Sequence, residues 1–81
     1  MSRIVAAVVK KATYHNDADS VRLYDEHGGH ATSLLFKNVQ SANIVGDTVN
    51  IVYKTEHGLI LEIWNVQNYH NMYQMSTTII G

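Results

Sequence analysis

Eighty-one residues, 46% of them apolar and none of them cysteine or proline, support one small domain, because each separate core needs its own set of buried side chains. Six Lys and Arg against seven Asp and Glu give a formal charge of -1, which lacks the cationic excess of a protein that grips nucleic acid mainly through phosphates. The missing cysteines exclude disulfide scaffolds, thiol nucleophiles, iron–sulfur ligation and thiolate zinc sites.

In chain order, Met1-Ser2-Arg3 is followed by an apolar run, Ile4 to Val9, that is too short to span a bilayer and is not completed by a small-residue cleavage pattern. A cytoplasmic protein without membrane contact is the expectation. Ile4-Val5-Ala6-Ala7-Val8-Val9 is apolar at both parities, so as a strand it should have both faces covered, either at the centre of a sheet or at a subunit contact. A helix from Arg3 to Ala12 competes, but three valines and an isoleucine without an end cap favour the strand. His15 to Ser20 is polar and turn-prone and reads as a solvated loop.

From Ser20 the chain reads as a meander. Val21 and Leu23 alternate with Arg22 and Tyr24, His27-Gly28-Gly29-His30 tolerates positive φ, and Thr32 to Phe36 is apolar again, which together predict a hairpin. Val39 to Val45 predicts the next strand, closed by Gly46-Asp47, and Val49, Ile51 and Tyr53 share one face of a strand from Thr48 to Thr55. Glu56-His57-Gly58 turns the chain. Leu59, Leu61 and Ile63 then share one face, Ile60, Glu62 and Trp64 the other, and a weaker strand is expected around Tyr69 to Met75. Trp64, the largest apolar side chain, is expected in the core.

Landmarks recur along this meander. Tyr24, Glu26-His27-Gly28, Phe36 and Asn38-Val39-Gln40 are echoed in the same order by Tyr53, Glu56-His57-Gly58, Trp64 and Asn65-Val66-Gln67. The echo points to two pseudo-repeated hairpin units, at about 20–45 and 48–75 of a single 1–81 domain. The expected fold is all-β, a small antiparallel meander of about seven strands forming a barrel or a compact sandwich. Thr77-Thr78-Ile79-Ile80 is too β-prone and apolar for a frayed end. It should pair either with the first strand, closing a barrel, or with the same segment of a neighbouring subunit.

Chemistry-bearing motifs are sparse. Five histidines stand out, with His27 and His30 three apart across a Gly-Gly turn and His57 at the equivalent place in the second echo. A His-based metal site would need further ligands from His15, Asp17, Asp19, Asp25 or Glu26, and no HExxH or comparable spacing supplies them. Asp17-Ala18-Asp19-Ser20-Val21 begins like a calcium loop but has Val21 and Arg22 where a donor and a glycine are required. No serine sits in a GxSxG elbow and no phosphate-binding glycine pattern occurs, so neither enzyme activity nor a cofactor is expected. Tyrosine can offer a flat apolar face with a wet hydroxyl, and Tyr24 with Arg22 and Tyr53 with Lys54 are the instances with a cation close by.

The leading expectation is a non-enzymatic β module that self-associates and binds another macromolecule, more readily a protein than nucleic acid. This composition suits the inhibitors and sequestering accessory proteins, viral ones included, that act by binding alone. The alternatives are a nucleotide or single-strand nucleic-acid binder in which Tyr24, Arg22, Tyr53 and Lys54 contact a small anionic ligand, and a His-based metal-binding protein, with His27 and His57 completing the candidate binding residues. Protonating all five histidines moves the formal charge from -1 to +4, so self-association should weaken as the pH falls towards 5.

Overall fold

A computed structural model describes residues 3–81. The described residues form seven strands, β1 (Ile4–Lys10), β2 (Asp19–Asp25), β3 (His30–Phe36), β4 (Val39–Val45), β5 (Thr48–Thr55), β6 (Gly58–Asn65) and β7 (Tyr73–Ile79). Short turns join most of them, and the glycines fall where the backbone must turn left-handed: Gly28 has φ 82°, Gly46 φ 60° and Gly58 φ 119°. All pairings are antiparallel. They build a three-stranded sheet in the order β1-β2-β3 and a four-stranded sheet in the order β4-β5-β6-β7.

The alternation in β2 and β5 creates the core between these sheets. Val21 and Leu23 project inward from one, Val49 and Ile51 from the other, and all four are fully buried with Ile4, Val39 and Val66 around them. Complete burial of a side chain such as Leu23 or Ile51 contributes about 1.5–3 kcal/mol. Phe36 and Trp64 pack against this cluster from the side. β1 and β4 lie against one another where the two sheets meet. The result is an open compact sandwich; no ladder joins β7 to β1, so the barrel is not closed.

The two sheets repeat one pairing scheme. Ile4–Asp25, Ala7–Leu23 and Val9–Val21 recur as Val39–Tyr53, Ala42–Ile51 and Ile44–Val49, shifts of 35 in the first strand and 28 in the second. A register irregularity falls between Ile4 and Ala6 in one sheet and between Val39 and Ser41 in the other. Leu34 stands opposite Val21 as Trp64 stands opposite Val49, a shift of 30. The equivalence therefore runs over β1–β3 and β4–β6, beginning one strand earlier than units at about 20–45 and 48–75. The turns bearing Glu26-His27-Gly28 and Glu56-His57-Gly58 still correspond, each linking the second strand of its sheet to the third.

Two expectations are corrected. β1 is an edge strand rather than a central one, with Val5, at the register irregularity, 48% exposed and Val8 50% exposed on a face that no other layer of this chain covers. The C-terminal segment pairs with β6, with Ile79 opposite Ile60 and Ser76 opposite Ile63, and it starts at Tyr73 rather than Tyr69. β6 is its neighbour in the chain, so this ladder forms without the long-range closure that pairing with β1 requires.

Candidate functional site

Alternation along β2 places Arg22 and Tyr24 side by side on the outer face of the three-stranded sheet, opposite to Val21 and Leu23. Arg22 lies between Val8 and Ser33, and Tyr24 between Ala6 and His30. The Tyr24 and His30 rings are tilted with centroids 5.5 Å apart, and His30 Nε2 is 2.9 Å from Ser33 Oγ. Arg22 has no ion pair among the described residues.

The same alternation sends Tyr53 the other way. Tyr53 shares the inner face with Val49 and Ile51, stacks on Phe36 at 4.9 Å between centroids, and donates its hydroxyl to Glu62 Oε1 at 2.9 Å. Lys54, its neighbour, projects outward and is exposed. An open cleft of about 560 Å³ is lined by Lys37, Asn38, Tyr53, Lys54, Thr55 and Glu56. Tyr24 with Arg22 and Tyr53 with Lys54 thus belong to different sheets, and Tyr53 is engaged in an interior hydrogen bond.

His27 and His57 occupy corresponding turns and are both exposed. Each backbone N–H is held by the last side chain of the preceding strand, Asp25 Oδ1 for His27 at 2.9 Å and Thr55 Oγ1 for His57 at 3.1 Å. Each imidazole lies near the adjacent glutamate, His27 Nε2 4.0 Å from Glu26 Oε1 and His57 Nε2 3.4 Å from Glu56 Oε1. Among the described residues no three His, Asp or Glu side chains are placed to hold a metal ion.

Two acidic residues of structural weight are not evident from sequence motifs. Glu62 is 6% exposed on the inner face of β6, where Oε1 accepts from Tyr53 and Oε2 from the Trp64 indole N–H at 2.7 Å. Burial, and then the hydrogen bond and negative charge of Glu62, push the Tyr53 phenol above its ordinary value. The signal for Glu62 is parity: it is the one charge in step with Ile60 and Trp64 on a strand otherwise apolar at those positions. Asp19 is 4% exposed, which corrects its reading as part of a solvated loop. It accepts from Lys11 Nζ at 2.6 Å, Ala12 N at 2.7 Å and Val39 N at 3.0 Å, tying the end of β1 and the start of β4 to β2. The Lys11 hydrogen bond, followed by that of the Ala12 amide, lowers the Asp19 carboxyl to about 2.

β7 is open along its whole length, with all seven residues exposed. Tyr73 and Met75 are each 54% exposed and Ile79 66%, and Ile80 just beyond is 51%. Thr77 stands opposite Glu62 and Ile79 opposite Ile60, so this parity faces inward but lies beyond the cover of the smaller sheet. No helix among the described residues is long and apolar enough to cross a membrane. No family model, curated protein or solved structure matches this chain.

Proposed function

We propose that this chain is a non-enzymatic binding module that self-associates and acts by holding another macromolecule, in the manner of an inhibitor or sequestering protein. The observation that carries the reading is β7: an edge strand of seven exposed residues presents unpaired backbone groups and apolar side chains together. Natural edges of this kind are ordinarily blunted by lysine, proline or a covering loop, and β7 contains neither lysine nor proline. A net charge of -1 favours a protein over a polyanion as the bound macromolecule. Light scattering coupled to size exclusion tests the first half of the proposal. A mass above that of the 9.1 kDa chain is expected at micromolar concentration, and a monomer at every micromolar concentration would refute it.

A further inference from the structure

We infer that β7 is completed by β7 of a second copy, antiparallel about a twofold axis at Thr77, so that two four-stranded sheets become one continuous eight-stranded sheet. The inference rests on the self-association proposed above and specifies its surface and register.

The backbone sets the direction in which β7 can accept a partner. Ile80 N donates to Leu59 O at 2.9 Å, and the ladder is regular from Ile79 opposite Ile60 to Ser76 opposite Ile63. In an antiparallel ladder alternate residues turn both amide groups to the same neighbour. Thr78 and Ser76, in step with Ile80, therefore face β6, and Thr77 and Ile79 aim their N–H and C=O groups away from it. Those outward groups are the template for one more strand.

The side chains fit a second copy of the same strand. From Asn71 to Gly81 no side chain is charged at neutral pH, so a twofold contact brings no like charges together. With the axis at Thr77, Met75 of each copy lies opposite Ile79 of the other, Ser76 opposite Thr78, and Thr77 opposite itself. Two Met75–Ile79 pairs then flank the Thr77 pair, each beside the Ile79 that already adjoins Ile60, and the Ser76–Thr78 hydroxyl pairs fall on the outer parity. The β6–β7 register shifts between Ile63 and Trp64, where Gln74 and Ser76 flank the extra residue Met75. An axis at Ser76 would extend the new ladder through this bulge as far as Tyr73, whereas the axis at Thr77 takes in only Met75 beside the regular segment from Ser76 to Ile79. The contact is isologous, so it closes at a dimer instead of propagating.

Charge at the axis provides the test. Thr77→Lys places two ammonium groups directly opposite one another and should raise the dimer dissociation constant by roughly tenfold or more. Thr77→Glu should do the same, and an equimolar mixture of the two variants should regain the wild-type mass as a heterodimer. In this cysteine-free chain, Thr77→Cys should give a disulfide-linked dimer on oxidation, while Val45→Cys on the exposed end of β4 should not. Wild-type mass in a Thr77→Lys chain with an unchanged circular dichroism spectrum would overturn the β7 contact and leave self-association standing. A monomeric wild-type chain would overturn both, and failure of Thr77→Cys to cross-link a dimeric protein would overturn the register even if the charged variants misfold.

Discussion

Replacing Glu62 by methionine keeps the length of the side chain but removes both acceptors from an interior site 6% exposed. The Trp64 indole can only donate, and the Tyr53 phenol loses the carboxylate oxygen that accepts its hydrogen bond at 2.9 Å. A buried donor without an acceptor costs about 1–3 kcal/mol, which sets an upper range of about 2–6 kcal/mol for two. Tyr53 and Trp64 are only half-buried and partly recover through water, and removing a buried charge is itself favourable, so the expected loss is about 2–3 kcal/mol. Glutamine behaves differently. Its oxygen can keep the indole bond while its amide donates to a reversed phenol, leaving only the loss of charge assistance, about 1 kcal/mol.

Thermal unfolding at one fixed protein concentration separates these cases, because about 1 kcal/mol shifts Tm by roughly 4–8 °C in a domain of this size. Glu62→Gln should lower Tm by about 5 °C and Glu62→Met by about 10–20 °C. In a double-mutant cycle, Tyr53→Phe should couple to Glu62→Met by about 1 kcal/mol: the phenol hydroxyl contributes to stability while Glu62 is present and almost nothing once its acceptor is gone. Equal losses in Glu62→Gln and Glu62→Met, or a methionine variant as stable as wild type, would refute the assignment of Glu62 as the shared acceptor.

Asp19 links stability to acid. Its carboxyl is lowered from 3.8 to about 2, so the unfolded chain takes up the proton first; the stabilisation is complete above the unfolded value and is lost as the pH falls from about 4 towards 2. Asp19→Asn should flatten that limb of a stability–pH profile measured by urea unfolding. The corresponding turn glycines should respond unequally to alanine. At Gly28, φ is 82° with open space around the missing Cβ, and the loss should be about 1–2 kcal/mol from the left-handed backbone. At Gly58, φ is 119° and the added carbon would meet the Gly81 carbonyl, so Gly58→Ala should also release the Leu59–Gly81 and Ile80–Leu59 bonds, read as faster exchange of the Leu59 and Ile80 amides.

Local rules carried the strand pattern far. Thr48–Thr55 and Val39–Val45 are legible because β-branched residues alternate or cluster between glycine-bearing turns, and the split of Ile60, Glu62 and Trp64 from Leu59, Leu61 and Ile63 follows from the pleat. Parity assigns a residue to a face without saying what covers that face. Val5 and Val8 are apolar and open, while Asp19 is charged and closed, because those outcomes depend on strands far away in the chain. The tyrosines illustrate the same limit: Tyr24 and Tyr53 look equivalent in the recurring landmarks, yet the pairing scheme matches Tyr53 to Asp25, which turns one ring outward and the other in towards Glu62.

By itself the sequence determined an all-β chain of antiparallel strands, the places where it turns, and the lack of a cationic excess, since each depends on propensity, period or charge counted along the chain. The tertiary structure alone decided that the strands divide three against four, that β7 joins β6, and that Asp19 and Glu62 are drawn inside. Those features arise from contacts between distant segments, where closing the chain is opposed by entropy and the winning arrangement is the one that covers the most apolar surface while leaving no buried polar group without a partner.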